Sequence, residues 1–233
     1  MIIGKKFIFV AVVLSFVIFL VSFQPGVYAE ADIMSNPQLD DLAEKYDVEF
    51  VPLNDNKLEA FKEAGMEIKN FKDLDEYESF LADVKRDIDD KIDTTQEFSL
   101  EVPERETSSI SLASQNNYTI NWYAPMAGGL AGLMAWKNVA VVYDYEYQNN
   151  WPYFTGVSSI KSYLSGLQVA VSWEQLNATK TYSTKCRNRD TANFKINGYY
   201  LLGAEVQGVP IGVKINDTWN TSLTLNPSGA GCF

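Results

Sequence analysis

Carboxylates are the side chains of this chain best suited to acid–base chemistry, because its 233 residues include no histidine. The lack of imidazole excludes Ser-His-Asp and Cys-His nucleophilic systems and the histidine-based zinc sites. Asp144 and Glu146 lie two positions apart in a predicted strand and share one face of it, and Glu174 lies in a later predicted strand. Two such carboxylates would suit a retaining glycosidase. Acidic pairs are also common on the solvent face of antiparallel sheets, so we expect a protein that is not an enzyme.

The two cysteines are the next reactive groups. Cys186 and Cys232 are the only cysteines of the chain, and two cysteines in an oxidising compartment usually pair. A bridge between them would close a loop of about 45 residues and stabilise the fold by about 3–4 kcal/mol. Two free thiols or an intermolecular bridge are the alternatives. The sequence shows no cluster of metal-ligand residues, so we expect no metal site and no cofactor.

The first thirty residues have the pattern of a targeting segment. Two lysines precede an uncharged run from Phe7 to Phe23, and small residues follow it up to Ala29. This order is typical of a secretory signal peptide, which we assign to residues 1–29, with cleavage after Ala31 as an alternative. The run also lies at the lower edge of the about 17–25 residues that span a bilayer, so an uncleaved anchor is the other interpretation. We predict a secreted protein that is extracellular or associated with the cell wall.

Charge divides the rest of the chain into two parts. Residues 30–106 hold 24 of the 30 acidic residues but only 9 of the 19 basic ones. This shift indicates a boundary, and a polar stretch around Pro103 predicts a linker at residues 101–112. We therefore expect an acidic, mainly helical region at residues 30–100 and a β domain at residues 113–233. The net charge of −11 argues against nucleic acid as a partner.

The acidic region shows helical periodicity. Asp73 is a predicted helix cap with Glu76 in the capping-box position, and apolar residues then recur every three or four positions. We predict helices at residues 73–92, 56–64 and 37–46, and a short strand at residues 48–53. We favour a small domain with a solvated acidic face for this region. A partner-binding segment and a removable pro-segment are the alternatives.

The second part shows the alternation of half-buried strands. From Ile211 to Leu225 every second residue is apolar, except at Asp217 and Thr221. A strand of this length should bend or carry a bulge, which we place near Asp217. Similar alternation elsewhere predicts six or seven strands in hairpin succession. The expected fold class is α+β, in which the acidic helical region precedes an antiparallel sandwich or a strongly curled sheet.

Three segments of the second part carry a resemblance to known proteins. They are Trp136–Tyr147, Ser159–Leu167 and Ile215–Leu225, within residues 117–225. In these segments the chain resembles uncharacterised secreted β-domain proteins of Gram-positive bacteria. The resemblance implies a secreted β domain and brings no activity and no catalytic residue with it.

Aromatic residues supply the candidate binding site. Trp151 and Tyr153 lie just after the predicted Asn149-Asn150 turn. An exposed indole or phenol ring at this place can contact a sugar or a partner protein. Trp136 is a third candidate. The stripe Tyr143, Tyr145 and Tyr147 continues the register of buried valines, so we predict that it belongs to the core.

Residues 124–136 form an uncharged stretch that is rich in glycine, alanine and methionine. It is too short to span a bilayer as a helix. We favour a buried crossover between strands, with membrane contact through this stretch as the alternative.

These observations favour a secreted, non-enzymatic binding or cell-envelope-associated protein. Its expected partner is a cell-wall polymer, a glycan or another protein. The first alternative is a secreted effector or toxin-like protein held inactive by an acidic pro-segment. The second is a carboxylate-dependent glycosidase that uses two of Asp144, Glu146 and Glu174.

Overall fold

The structure is a computed structural model, which describes residues 36–63, 68–89, 95–103, 116–123, 135–166 and 171–229. The predicted signal peptide and most of the stretch 124–136 lie outside the described residues. In chain order the elements are α1 (Pro37–Tyr46), β1 (Glu49–Pro52), α2 (Asp55–Glu63), β2 (Lys69–Phe71), α3 (Leu74–Asp89), β3 (Gln96–Val102), β4 (Asn116–Tyr123), β5 (Ala135–Gln148), β6 (Trp151–Gly166), β7 (Val171–Ser183), β8 (Thr191–Val206) and β9 (Val209–Pro227).

The long hairpin of β8 and β9 is the centre of the larger sheet. Its turn consists of Gln207 and Gly208, which both have positive φ, 52° and 82°. Two consecutive residues of positive φ form the turn whose twist matches that of the flanking strands. The Asn149–Asn150 turn between β5 and β6 has the same property, with φ of 52° and 62°. The predicted turn at the two asparagines is therefore confirmed.

Short strands from the acidic region complete the larger sheet. Along β9, β1 pairs antiparallel with residues 211–214 and β3 pairs parallel with residues 221–227. Along β8, β7 pairs antiparallel and β2 pairs parallel. Both halves of the chain thus contribute strands to one sheet of six strands.

The predicted bulge near Asp217 is wrong. Pairing between β8 and β9 runs without a register shift through Gly198 and Asp217, so β9 is a continuous strand of 19 residues. Instead, the partner on the outer edge of β9 changes from β1 to β3 on either side of Asp217. The register shifts lie in the β5–β6 pair and in β7.

The smaller sheet contains β4, β5 and β6 in antiparallel order. The molecule is therefore mostly antiparallel β structure with a curled sheet and a few helices, as expected. As predicted, consecutive strands form antiparallel hairpins in β4–β5–β6 and in β7–β8–β9. The parallel pairings of β2 with β8 and of β3 with β9 were not predicted. Alternation indicates the buried face of a strand but not its partner, so the pairings needed the tertiary structure.

The side chain of Gln175 is one of those that join the two sheets where β6 and β7 lie side by side. Gln175 Oε1 accepts hydrogen bonds from the backbone N of Ser162 at 2.6 Å and from its Oγ at 2.7 Å. Gln175 Nε2 donates to the carbonyl oxygen of Ile160 at 3.1 Å. The amide thus satisfies backbone groups at the edge of β6 as a neighbouring strand would.

The helices begin as their sequence predicts. Asp73 Oδ1 accepts from the backbone N of Glu76 at 3.0 Å, and Glu76 Oε2 accepts from the backbone N of Lys72 at 2.9 Å. These bonds cap α3 at its first turn. Side chains of α1 and α3 join the core that β8 and β9 form, including Leu39, Leu81 and Val84. Within the described residues, no helix is both long enough and apolar enough to cross a bilayer.

Buried tyrosines lead to a pH prediction. Burial raises the pKa of Tyr143 to about 12 and raises those of Tyr77 and Tyr200 well above the ordinary value. The folded state therefore keeps these protons after the unfolded chain has released them. Their stabilising contribution is full below about pH 10 and is lost as the pH rises through the folded pKa values. We expect unfolding free energies from urea titrations to stay nearly constant up to about pH 10 and to fall from there to about pH 12.

Tyr77→Phe is the matched variant for this experiment. The Tyr77 hydroxyl is buried without a hydrogen-bond partner, so its removal should leave stability near neutral pH almost unchanged. The alkaline loss of stability should be smaller in this variant than in the wild type. Identical alkaline profiles for the two proteins would contradict the assignment.

Candidate binding surface

Three exposed aromatic side chains lie together on the outer face of the smaller sheet. Tyr123 pairs with Trp136, and Tyr163 pairs with Asn138, so these side chains emerge on one face. Tyr123, Trp136 and Tyr163 are 48%, 42% and 45% exposed. We call these three residues the aromatic patch. Tyr123 and Trp136 meet edge to face, with ring centroids 5.6 Å apart.

Asn138 lies beside the aromatic patch and is only 6% exposed. Its Nδ2 donates to the carbonyl oxygens of Trp136 and Tyr163 at 2.9 Å and 3.4 Å, and to Ser165 Oγ at 2.8 Å. One amide thus ties β5 to β6 where both carry patch residues. We infer that Asn138 holds the backbone of the patch in place.

The side chains that continue this face along β4 are neutral and polar. Asn117, Thr119 and Asn121 are exposed and alternate in register with Tyr123. Amide and hydroxyl groups of this kind both donate and accept hydrogen bonds. Lys161 is the charged residue that pairs with Ala140 on the same face. The surface therefore combines apolar rings with neutral hydrogen-bonding groups.

The other predicted binding residues lie at the opposite end of the β5–β6 hairpin. Trp151 and Tyr153 follow the Asn149–Asn150 turn and are half-buried. The Tyr153 hydroxyl donates to Glu146 Oε2 at 2.7 Å, and this hydrogen bond raises the pKa of Tyr153. The structure therefore does not bring Trp136 together with Trp151 and Tyr153.

The inner end of the tyrosine stripe, at Tyr143, lies in the core, as predicted. Tyr143 is 3% exposed, and Tyr145 and Tyr147 are half-buried. Their ring centroids follow one another at 6.2 Å and 5.8 Å. The Tyr147 hydroxyl donates to the carbonyl oxygen of Pro103, which fastens the end of the stripe.

Two of the three candidate carboxylates have a tyrosine partner in their own sheet, while Asp144 pairs in register with Gly156. Glu146, in the smaller sheet, accepts from Tyr153, and Glu174, in the larger sheet, accepts from Tyr199. Burial of Tyr199, together with its hydrogen bond to Glu174, raises the pKa of Tyr199 to about 12. A retaining glycosidase needs two carboxyl groups about 5–5.5 Å apart. The described contacts of Glu146 and Glu174 lend no support to such a pair.

A buried ion pair connects the two sheets. Lys137 Nζ of β5 lies 3.1 Å from Asp217 Oδ2 of β9, and their side chains are 13% and 5% exposed. The Tyr200 hydroxyl and Trp219 Nε1 also donate to Asp217 Oδ2, at 2.9 Å and 3.1 Å. We call these four residues the Asp217 cluster. Trp173 stacks on Trp219, with centroids 4.1 Å apart and an interplanar angle of 17°.

The hydrogen-bond donors around Asp217 show that its carboxylate has a structural role. Sequence analysis noted Asp217 only as a break in the apolar alternation. That break was the available signal, because an acid at an inward position requires internal hydrogen-bond donors.

Comparison with known protein families, curated proteins and solved structures finds no match. In the described part of the chain, no group of three cysteine or acidic side chains is placed to hold a metal ion.

The loop around Cys186 is organised by Asp190, which is fully buried. Its carboxylate accepts from the backbone N of Lys185, Cys186 and Arg187 at 2.8, 2.7 and 2.6 Å. The described residues contain no free cysteine. Cys232 lies outside them, so the Cys186–Cys232 disulfide stays a prediction.

Proposed function

We propose that this chain is a secreted, non-enzymatic protein that binds a neutral glycan or cell-wall polysaccharide on its aromatic patch. The observation that carries the proposal is the placement of Tyr123, Trp136 and Tyr163. All three are nearly half exposed and adjacent on one face of a regular sheet. Clustered exposed aromatic side chains are typical of interaction sites. The secretion part of the proposal rests on the signal-peptide pattern of residues 1–29.

The chemistry of the surface favours a sugar polymer. A pyranose ring has an apolar C–H face that can lie on an indole or phenol ring, and hydroxyl groups at its rim. Asn121, Thr119 and Asn117 continue the patch along β4 and can bond to such hydroxyls. A charged polymer would need several charged partners, whereas the neighbours of the rings along β4 are neutral and Lys161 is the charged residue next to them on β6.

The surface is also preorganised. Two of the three patch strands, β5 and β6, are paired along their length. The Asn138 amide links them at Trp136 and Tyr163. A rigid surface loses little conformational freedom on binding, which favours affinity.

Co-sedimentation with insoluble polysaccharides tests the proposal, with cellulose, chitin, xylan and peptidoglycan as the panel. We expect retention on at least one polymer, and Trp136→Ala should weaken it by about tenfold or more. Loss of one stacked aromatic side chain removes about 1.5–3 kcal/mol of apolar contact. Tyr163→Ala should weaken retention in the same direction.

Leu176→Ala is the matched control. Leu176 is 60% exposed but belongs to β7 of the larger sheet, so its removal should leave retention unchanged. The proposal fails if the wild type binds no polymer of the panel. It fails equally if Trp136→Ala and Leu176→Ala bind alike.

A further inference from the structure

We propose a second, separate binding site, for a phosphate or sulfate group, formed by Trp151, Arg187 and Arg189. These three residues, which we call the arginine site, lie where the end of β6 meets the loop between β7 and β8. The site is independent of the aromatic patch, which lies at the other end of the β5–β6 hairpin.

Two buried donors carry the proposal. Within the described residues, Trp151 Nε1 and Arg189 Nε are both inaccessible to solvent and have no hydrogen-bond partner. Buried N–H groups without an acceptor are rare in folded proteins, and each calls for an explanation. Both groups can only donate, so an acceptor ligand is what they lack.

The contacts of both arginines place them at this end of β6. The guanidinium carbon of Arg187 lies 5.8 Å from the centroid of the Trp151 ring. The carbonyl oxygen of Arg189 accepts from the backbone N of Phe154 at 2.9 Å. The guanidinium of Arg189 lies over the ring of Tyr182, at 4.3 Å from its centroid. Arg187 thus lies near the indole ring of Trp151, and the backbone of Arg189 is fixed to β6.

The neighbouring carboxylates are already engaged. Asp190 accepts three backbone N–H groups, Glu146 accepts from a tyrosine, and Glu97 pairs with a lysine at 2.7 Å. Across the described ranges, neither Arg187 nor Arg189 forms a salt bridge. Among the described residues, neither guanidinium group is therefore paired with a carboxylate.

The donor set defines the ligand chemistry. Guanidinium groups present several N–H donors in a fixed plane that matches the oxygens of phosphate and sulfate. The site offers donors and positive charge but no acceptor of its own among these three side chains. A neutral sugar has no charge to pair with the guanidinium groups, whereas sulfate has acceptors alone and phosphate has mostly acceptors.

Titration of the whole protein with inorganic phosphate and with sodium sulfate tests the site. The readout is the indole N–H signal of Trp151 in a ¹H–¹⁵N spectrum, assigned by its loss in Trp151→Phe. We expect a saturable shift of this signal with at least one of the two anions, at constant ionic strength kept with sodium chloride. Arg187→Gln should weaken the apparent affinity by about fivefold or more, since it removes one charged partner.

Lys195→Gln is the control, because Lys195 is an exposed lysine of β8 outside the site. It should respond like the wild type, and so should Trp136→Ala, which separates this proposal from the glycan-binding one. Because Arg187 is exposed, Arg187→Gln should fold even if Arg189→Gln does not, and it is therefore the variant that tests the anion site. A shift that does not saturate, or that chloride reproduces, overturns the proposal. So does an unchanged affinity in Arg187→Gln.

Discussion

Replacing Asp217 with alanine is expected to lower the free energy of unfolding by about 3–5 kcal/mol. Asp217 is the acceptor for Lys137, the Tyr200 hydroxyl and Trp219 Nε1. Without the carboxylate, the largely buried lysine keeps its charge in a poorly solvated position, and two buried donors lose an acceptor. Breaking one partner of a buried pair costs more than the pair contributes, because the remaining charge stays desolvated.

Urea unfolding followed by tryptophan fluorescence measures this effect, since Trp219 and Trp173 report on the cluster itself. Lys214→Met is the matched control, because Lys214 pairs at 3.0 Å with Glu49, whose side chain is 65% exposed and remains solvated without its partner. Loss of that pair should cost less than about 1 kcal/mol. If Asp217→Ala is no more harmful than Lys214→Met, the cluster does not hold the sheets together.

The double variant of Lys137→Met with Asp217→Leu refines this prediction. Removing both partners leaves no unpaired buried charge, so the double variant should lose less stability than the sum of the two single variants. Additive losses would show that the two side chains do not interact in the folded protein.

Gly198→Ala is the second substitution with a large expected effect. A Cβ atom at Gly198 would lie 2.5 Å from a ring carbon of Trp173 and closer still to the carbonyl oxygen of Glu174. That oxygen belongs to the paired backbone of β7, so it cannot move without disturbing the β7–β8 register. Trp173 would leave its stacked position on Trp219. We expect a loss of about 3 kcal/mol, at the upper end of what overpacking costs.

Gly156→Ala is the matched control for this substitution. Gly156 also lies in a strand, but its added Cβ would meet only Asp144 Oδ2, at an ordinary distance of 3.7 Å. Its effect should stay within about 1 kcal/mol, the usual cost or gain of such a change in a strand. Near-ultraviolet circular dichroism should show a changed tryptophan environment in Gly198→Ala alone. Equal unfolding midpoints for the two variants would contradict the role of Gly198.

Both predictions concern the place where the two sheets meet. Gly198 pairs with Asp217 across the β8–β9 hairpin, and the missing side chain leaves room for the Trp173 ring. Lys137, on the facing sheet, reaches Asp217 from the strand that also carries Trp136. The interior cluster and the aromatic patch therefore use opposite faces of the same segment of β5.

Local patterns were enough to predict the helices and most of the strands, but not β2 or β3. The capping residues of α3, the paired asparagines of the β5–β6 turn and the apolar alternation of β9 each act over a few neighbouring residues. Their effects depend on backbone hydrogen bonds and on the two-residue repeat of a strand, which the sequence displays directly.

The binding surface could be predicted only in part. Trp136 was identified as a candidate from the sequence. Its neighbours Tyr123 and Tyr163 belong to other strands and join it through the register of β4, β5 and β6. Trp151 and Tyr153 are equally aromatic, yet the hairpin carries them to its opposite end. Residue type alone does not distinguish these two places.

By itself, the sequence determined where the helices, the turn at the two asparagines and most of the longer strands occur, and which face of those strands is apolar, because these properties depend on near neighbours. The tertiary structure decided that β1, β2 and β3 join the C-terminal hairpin and that Gln175 closes the edge of β6. It also decided that Asp217 faces Lys137. These contacts join residues far apart in the chain, and many pairings satisfy the same alternation, so only the packing of the whole chain selects among them.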